Sequence, residues 1–593
     1  MESRAGSNRG SGGDPRGPGP RGPAPDALPP RSPGARLALL NEMSERIGSE
    51  LDVTRTAEEV TEAAVPRLAD LVAVDLLEGV AEGEEPASGP VGSAAVLRRA
   101  AVTSLTEDAP EATYRAGELM TFHPSTPYAR CLAAGRPLLV PALDRAADWL
   151  AQDPARSAKI LGAGVHSLMT VPLRARDVTL GLAHFYRWRL PEPFDEDDLA
   201  LARDLVARAA VCIDNARRYT REHQATLALQ HSLLPRGDRL RNLAVETAHR
   251  YLPASGRAGI AGDCYDVISL SGARVGLVVA DVAGRGISAV ARAGRLLTAI
   301  RTLASLDLPP EELLAKLDTL VGRAVDPRQG THDAGQEAGA TCLYAVYDPV
   351  TGHCRAASAG HPSPVVVRPG RPAELLDLPT GPPLGIGGAP FAAADFDLPD
   401  DSVIAVFTNG LVQDRAAGPD AGLPGLLRAL AGADRPLDLL QEQVWRAAVR
   451  ADRPDDDAVL LLARARAVPA DRVVTWDLAA DPAAVPEARD LASRQLRTWG
   501  LAEVQPLTEL FVSELVTNAV RYGRSPIRLR MILERSLICE VSDAASTSPH
   551  LRHADATDEG GRGLFMIAQL ADAWGTRYMP TGKTIWTEQA VGG

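Results

Sequence analysis

The chain has 593 residues, of which 45% are hydrophobic and 23% are charged, and its formal net charge is −13. This length exceeds what one hydrophobic core supports and predicts about two to four domains. The acidic balance argues against a nucleic-acid partner, because phosphate binding needs basic surface. No apolar run approaches the roughly 18 residues of a membrane-spanning helix, so we expect no membrane contact.

The six cysteines are scattered and form no C-x-x-C pair, which argues against a zinc site or a disulfide framework and favours a reducing compartment. Residues 1–34 consist mainly of Gly, Pro, Arg and Ser and predict a disordered tail. This segment contains Arg but lacks the apolar stretch of a signal peptide. We therefore expect a cytoplasmic protein.

From Leu37 the pattern predicts two amphipathic helices and then an apolar strand near Leu71–Leu77. The segment "GVHSLMTVPLRARDVTLGLAHFYRW" predicts two strands joined by a polar turn at Arg176 and Asp177. A long helix with an acidic start follows and ends at Pro235.

This order of elements resembles a GAF domain, a sensory α/β module, over residues 37–215, with a connector helix over residues 216–235. The resemblance implies that an unknown small-molecule signal binds there. Three side chains could line its pocket or could be ordinary packed or surface residues, namely His123, Cys131 and His166.

The predicted long helix carries an apolar stripe, formed by Leu205, Ala209, Cys212, Ala216 and Tyr219. The stripe could pair with its copy in a homodimer through the connector helix, or it could pack on the neighbouring domain. The sequence favours neither interpretation.

Carboxylates stand at strand ends and beside glycines in the middle of the chain. Asp263 and Asp266 lie in "AGDCYDVISL", Asp281 ends the apolar strand of "VVADVAGRG", and Asp456 lies in "PDDDAVLLLA". Mn²⁺ and Mg²⁺ prefer such oxygen ligands, and a pair of ions supports water attack on a phosphate monoester. As separate caps or turn residues the same carboxylates would have no common role, and this is the competing interpretation.

Residues 236–465, with "LQHSLLP" directly before them, resemble the SpoIIE-type branch of the metal-dependent protein serine/threonine phosphatases through "AGDCYDVI", "DVAGRGISAV", "SAGHPSPVVV", "FTNGLV" and "DDDAVLL". The resemblance implies an α-β-β-α sandwich that holds two ions, Mn²⁺ or Mg²⁺. It assigns the bridging catalytic position to Asp281 and the other metal contacts to Asp263, the backbone carbonyl of Val282, Asn409 and Asp456.

Asn409 replaces the Asp of the family's T-D-G pattern, and Arg285 stands where the family often has His. Asn409 keeps an oxygen donor but loses one negative charge, which weakens metal binding. Two interpretations therefore stay open: an active phosphatase with a high metal requirement, and a weakened pseudophosphatase that only binds its substrate.

Residues 472–590 combine four pieces in a characteristic order. A helix in "LTELFVSELVTNAVRYG" places Glu514 and Asn518 on one face, and two strands then end at Asp543. The Gly-rich turn of "DEGGRGL" opens a further helix, where free N–H groups suit phosphates, and "GKTIWTEQ" predicts a last strand.

These pieces resemble the GHKL ATPase fold, an α/β sandwich, in the branch of anti-sigma-factor serine kinases. The resemblance implies ATP with Mg²⁺, with Asn518 on the metal, Asp543 accepting from the adenine amino group and Thr584 near the base. Glu514 would be the general base toward a serine hydroxyl. The implied phosphate lid consists of Gly560, Gly561 and Gly563.

The sequence thus predicts a multidomain α/β and α+β protein that removes phosphate from serine or threonine of an anti-sigma-factor antagonist. The GAF-like domain would gate this reaction, and the C-terminal domain would bind the partner and rephosphorylate it. The alternatives are a scaffold that sequesters the antagonist or a sigma factor, and a kinase with an inactive phosphatase. A histidine kinase is disfavoured, because no His-containing dimerisation helix directly precedes the ATP-site domain.

Overall fold

The computed structural model describes residues 33–89, 91–92, 95–106, 115–233, 235, 244–253, 262–324, 339–388, 390–413, 418, 420–432, 434–448, 456–545, 562–579 and 581–591. They belong to two compact units, Met1–Gln224 and Ala225–Gly593. Most of the predicted tail over residues 1–34 lies outside the described residues. No helix in the described ranges combines the length and apolar character needed to cross a membrane.

The first unit is built on one six-stranded antiparallel sheet. Its helices are α1 (Pro33–Glu45), α2 (Val53–Ala64), α3 (Pro127–Ala134), α4 (Pro154–Gly162) and α5 (Glu196–Leu233), which continues past the end of the unit. Its strands are β1 (Leu71–Leu77), β2 (Leu97–Ser104), β3 (Leu119–Met120), β4 (Leu138–Val140), β5 (Ser167–Ala175) and β6 (Val178–Arg187). They pair in the order β3-β2-β1-β6-β5-β4.

The local signals in this unit act as the sequence predicts. Asp52 caps α2 by accepting a hydrogen bond from the Arg55 N–H at 2.7 Å. Arg176 and Asp177 have φ values of 50° and 65°, the conformation of a two-residue hairpin turn, and they join β5 to β6. The predicted helices, the strand at Leu71–Leu77 and the hairpin are therefore confirmed.

The apolar stripe of α5 packs inside the first unit. Leu205, Ala209 and Ala216 are fully buried in a core that includes residues of α1, α2 and the sheet, and Cys212 packs against it. Tyr219 stacks on His223, with ring centroids 5.9 Å apart. Of the two interpretations of the stripe, packing within the chain is the one that the structure shows.

The second unit begins with two facing sheets. Its strands up to residue 465 are β7 (Val245–Leu252), β8 (Cys264–Ser269), β9 (Val275–Val282), β10 (Ala340–Asp348), β11 (His353–Ala359), β12 (Val365–Val367), β13 (Glu374–Leu375), β14 (Thr380–Gly381), β15 (Ala393–Asp397), β16 (Val403–Phe407) and β17 (Ala458–Ala465). One sheet has the order β14-β11-β10-β9-β8, with β15 beside β11, and the other has the order β13-β12-β16-β17-β7.

Helices cover the outer faces of these two sheets. They are α6 (Gly286–Ala304), α7 (Pro310–Ala324), α8 (Leu423–Leu430) and α9 (Leu437–Ala448). Val279 and Leu343 of the first sheet pack against Ile404 and Leu461 of the second. Helices α6 and α7 share a core with the first sheet, and α8 and α9 share one with the second. This is the predicted α-β-β-α sandwich.

The last part of the second unit is a five-stranded antiparallel sheet with helices on one face. Its strands are β18 (Val473–Leu478), β19 (Ile527–Leu533), β20 (Ser536–Asp543), β21 (Ala573–Met579) and β22 (Gly582–Ala590), in the order β18-β19-β20-β22-β21. Its helices are α10 (Ala484–Thr498), α11 (Gln505–Tyr522) and α12 (Arg562–Leu570). On the other face, Ile532 and Ile538 pack against Ala273 of the β8–β9 turn.

Candidate active sites

Two predicted metal ligands meet at the open end of the β8–β9 hairpin. Asp263 directly precedes β8, and Asp281 lies near the end of β9, opposite Thr341 of β10. A Cβ atom on Gly262 would lie 2.8 Å from the carbonyl oxygen of Val282, so only glycine permits this close approach. The two carboxylates and the Val282 carbonyl are therefore brought together.

The electrostatics of this pair favour a bound cation. Asp263 is only 3% exposed, and its Oδ2 atom has no hydrogen-bond partner among the described residues. Burial and the charge of Asp281 raise the pKa of Asp263 well above its ordinary value. Burial, together with the charges of Asp456 and Asp457, also raises the pKa of Asp281. A divalent cation would relieve this repulsion and supply the missing partner, so these residues fit a metal.

The other two predicted ligands are placed differently. Asp456 is 41% exposed, and its Oδ1 lies 3.5 Å from Nη2 of Arg285. Asn409 is exposed at the start of a short 3₁₀ turn. A Cβ atom on Gly410 would lie 1.9 Å from the carbonyl oxygen of Asp457, so this turn rests directly on that backbone. Within the described ranges, no three His, Cys, Asp or Glu side chains are grouped so as to hold a metal ion.

Asp266, the other carboxylate of "AGDCYDVISL", has a structural role. It is buried in β8, and its Oδ2 accepts a hydrogen bond from Nε of Arg301 at 2.6 Å. Its Oδ1 accepts from the backbone N–H of Val267 at 3.0 Å. Both oxygens are therefore engaged away from the Asp263–Asp281 pair.

The sequence alone does not predict the contacts of several polar residues around the Asp263–Asp281 pair. Buried Asp457 accepts a hydrogen bond from the hydroxyl of Tyr251, which itself accepts from Gln230 at 2.6 Å. Buried His361, from "SAGHPSPVVV", lies 3.0 Å from the hydroxyl of Thr341, and burial lowers its pKa to about 3. It is therefore neutral at pH 7. Two features of the sequence could have drawn attention to these residues: the third Asp of "PDDDAVLLLA", and a His that stands between two apolar segments in "SAGHPSPVVV".

In the C-terminal domain, Asp543 ends β20 beneath the end of α11. A Cβ atom on Gly523, just after that helix, would lie 2.7 Å from its carboxyl carbon. Its Oδ1 accepts a hydrogen bond from the backbone N–H of Ala545 at 2.8 Å. Nζ of Lys583 lies 3.4 Å from its Oδ2, and both side chains are buried. The carboxylate predicted to contact adenine is therefore paired with a lysine.

Thr584 does not lie beside Asp543. In the register of β20 and β22, Lys583 is opposite Asp543, whereas Thr584 is opposite Ser542. Because successive side chains of a strand point to opposite faces, Thr584 belongs to the sheet face away from Asp543. In this register Lys583 rather than Thr584 lies beside Asp543, and a role for Thr584 near the base stays a prediction.

Glu514 and Asn518 lie on one face of α11, as predicted, and both are half-buried. A Cβ atom on Gly563 would lie 2.0 Å from Oε2 of Glu514, so the carboxylate touches the first turn of α12. The other two lid glycines, Gly560 and Gly561, lie outside the described residues.

A buried ionic cluster joins the two domains of the second unit on the far side of the ATPase sheet. Glu540 accepts hydrogen bonds from Arg530 at 2.7 Å and from Arg577 at 3.3 Å. Arg577 and Arg274 both donate to the hydroxyl of Ser271, in the β8–β9 turn, at 3.1 and 2.9 Å. Burial alone would raise the pKa of Glu540, but the charges of Arg577 and Arg530 outweigh it and lower this pKa. The cluster borders a cleft of about 540 Å³.

Three segments of the chain match known protein families. Residues 52–213 match the GAF domain, residues 271–466 match SpoIIE (stage II sporulation protein E), and residues 478–588 match the histidine kinase-like ATPase domain. Asp263 precedes the SpoIIE-matched segment, whereas Asp281, Asn409 and Asp456 fall within it.

Several solved structures are also similar. The RsbU and RsbW domains of a Mycobacterium tuberculosis protein are 23% identical, with 58% of this chain and 94% of that chain covered and a TM-score of 0.34. The phosphatase domain of SpoIIE from Bacillus subtilis, with a regulatory fragment, is 16% identical, with coverages of 37% and 64% and a TM-score of 0.31. A serine/threonine phosphatase of S. agalactiae is 14% identical, with coverages of 37% and 100% and a TM-score of 0.30.

The family matches follow the predicted order, and the predicted phosphatase and nucleotide site residues other than Asp263 fall within them. The chain therefore carries, in this order, a GAF domain, a SpoIIE-type phosphatase domain and a histidine kinase-like ATPase domain.

Proposed function

We propose that this chain is a signal-gated protein serine/threonine phosphatase that acts on an anti-sigma-factor antagonist. The observation that carries the proposal is the pair formed by buried Asp263 and half-buried Asp281, in which Oδ2 of Asp263 is unpartnered among the described residues and both pKa values are raised. The match to the SpoIIE family supports phosphatase chemistry. The resemblance of the C-terminal sequence motifs to anti-sigma-factor serine kinases supports the substrate class.

Asp263, Asp281 and the Val282 carbonyl would hold divalent ions, Mn²⁺ or Mg²⁺, with Asp456 and Asn409 completing a second position. When bound, such ions lower the pKa of a coordinated water and neutralise charge on the phosphate. The chain itself supplies the positioning. Gly262 and Gly410 each lie close to a backbone carbonyl oxygen because they lack a Cβ atom. A side chain at either position would push the ligand-bearing turn away from the neighbouring strand.

The surrounding polar residues keep the site in shape. Tyr251 donates to Asp457 and thereby holds the residue next to Asp456 in place. Neutral His361 pairs with Thr341, which is opposite Asp281 in the sheet, so it supports β10 without adding a competing positive charge. These contacts tie the residues beside the site to strands β7 and β10 of the sandwich.

For the C-terminal domain we propose ATP binding with Mg²⁺ at Asn518, adenine at Asp543 and phosphates at the lid that includes Gly563. The contact between Glu514 and the first turn of α12 supports the common site, and Glu514 would accept the proton of a serine hydroxyl. Adenine can reach Asp543 only after Lys583 has moved away from it.

A second candidate function is a scaffold that binds the antagonist, or a sigma factor, without turnover. Two observations favour it: Asn409 lacks the negative charge of the family's Asp, and Asp456 is paired with Arg285 rather than left open. In both candidates the GAF domain receives an unidentified small-molecule signal. Cys131 is packed in the core of that domain and His166 pairs with the Leu190 carbonyl at 2.9 Å, contacts that support a packing role for these two candidate ligand residues.

The deciding experiment is Mn²⁺-dependent phosphate release from a phosphoserine antagonist protein by the full chain. We expect release by the native chain, none by Asp281→Ala, and native release by Asp377→Ala, which removes an exposed carboxylate of the same domain. Activity in Asn409→Asp but not in the native chain would contradict the enzyme proposal. Stoichiometric binding without release in every variant would establish the scaffold.

Kinase activity needs a separate measurement. Transfer of the terminal phosphate of labelled ATP to the dephosphorylated antagonist should occur in the Asp281→Ala background and disappear on the further change Glu514→Ala. Transfer that survives the loss of Glu514 would show that this residue is not the base.

A further inference from the structure

The proposed metal site has two halves, the first formed by Asp263 and Asp281 and the second by Asp456 and Asn409. Two side chains make the second half less negative. Asn409 offers a neutral oxygen and is exposed, and Arg285 places a guanidinium group 3.5 Å from Asp456. The first half is different, because the charge of Asp281 acts on the buried Asp263, whose Oδ2 has no hydrogen-bond partner among the described residues. The two halves cannot have equal affinity for cations.

We propose that the guanidinium group of Arg285 takes the place of a metal ion in the second half of this site, called the second half-site below. One divalent ion then binds tightly at Asp263 and Asp281, and a second ion binds only by displacing Arg285 from Asp456. This inference rests on the proposed phosphatase function and refines it, because it makes the metal requirement of the site depend on a side chain of the chain itself.

The local backbone explains why Arg285 turns toward Asp456. Arg285 precedes the first residue of α6, between Gly284 and Gly286, whose φ values of 98° and 74° define a tight turn. The N-terminal end of a 19-residue helix is positive and disfavours a cation unless an anion is close. Asp456 is that anion. Removal of Arg285 would leave its carboxylate available to a metal ion.

Backbone contacts also hold Asp456, the acidic member of the Arg285–Asp456 pair, in position. Asp456 accepts a hydrogen bond from the backbone N–H of Asp457 at 3.1 Å, and the Gly410 turn rests on the Asp457 carbonyl. The carboxylate therefore stays near Asn409 whichever cation it faces. A divalent ion there would share the bridging Asp281 with the first ion and would have Asp456 as its own carboxylate, so it differs from the first ion in having Arg285 as a competitor and the neutral Asn409 as a ligand.

The test is an equilibrium Mn²⁺ titration of the full chain without substrate, followed by electron paramagnetic resonance of the free ion. The native chain should bind one Mn²⁺ tightly and a second at least about 10-fold more weakly. Arg285→Ser and Asn409→Asp should each tighten the second ion by about 10-fold or more and leave the first within about threefold. When both ions are bound, the spectrum of Arg285→Ser should show coupling between them.

Two controls separate charge from structure. Arg295→Ser removes the same charge from an exposed position of α6 and should leave both affinities unchanged, and Arg285→Lys keeps the charge and should leave the second ion weak. Two equally tight ions in the native chain, or an unchanged second affinity in Arg285→Ser, would overturn the inference alone. An absence of Mn²⁺ binding in all variants would overturn the proposed phosphatase site as well.

Discussion

The buried carboxylate between the phosphatase and ATPase domains gives the sharpest stability prediction. Glu540 is 2% exposed and lies 3.3 Å from Arg577 and 2.7 Å from Arg530. At an effective dielectric near 20, such distances correspond to about 5 to 6 kcal/mol of attraction per pair before desolvation. Breaking a buried pair leaves uncompensated charge and costs about 3–5 kcal/mol in total. We expect Glu540→Gln to destabilise the ATPase sheet by that amount.

Hydrogen exchange measured by mass spectrometry on the full chain tests this locally, in peptides from β20 and from the β8–β9 turn. The control is Glu442→Gln, which removes an exposed carboxylate from Arg250 and Arg446 and should leave exchange unchanged. Equal exchange in the two variants would refute the reasoning. The pKa of Glu540 is lowered from 4.5, so its contribution is present above pH 4.5 and is lost as pH falls through the lower folded value.

Three further outcomes follow from the sites. Because the folded pKa of Asp263 is raised, the metal-free protein should lose stability as pH rises through it, and Asp263→Asn should raise Tm at pH 7 in EDTA but not in saturating Mn²⁺. Gly410→Ala should lower Tm strongly, because its Cβ atom would lie 1.9 Å from a carbonyl oxygen. Gly322→Ala should leave Tm unchanged, because its Cβ atom would lie 3.8 Å from the nearest atom, and equal Tm values in the two variants would contradict this reasoning. Calorimetry should show tighter ATP binding by Lys583→Met and native binding by Thr584→Val, and a reversed result would place the base on the other sheet face.

Local signals explain why so much of the fold can be predicted from the sequence. Two largely apolar runs on either side of the polar pair Arg176 and Asp177 define the β5–β6 hairpin. The acidic start of α5 and Pro235 define the limits of that helix. Each of these signals acts between residues close in sequence. The α-β-β-α arrangement follows from apolar strands that are flanked by amphipathic helices.

The sites are less predictable because they depend on the parity of strand register and on long-range ion pairs. Thr584 and Lys583 are adjacent in sequence, but only one of them can face Asp543, and the register with β20 decides which. Arg285 and Asp456 are 171 residues apart, and no local pattern shows that they meet. A family pattern transfers residue identities but not these partners.

The two sites share one physical feature that bears on how both would work. In the phosphatase domain Arg285 pairs with Asp456, and in the ATPase domain Lys583 pairs with Asp543, so a basic side chain already neutralises a carboxylate assigned to a ligand. A metal ion or an adenine must therefore compete with a cation held at very high effective concentration. Affinity at each site then depends on how easily that side chain leaves. Since the two pairs lie in different domains and share no residue, Arg285→Ser should change metal binding without changing ATP binding, and Lys583→Met should do the reverse.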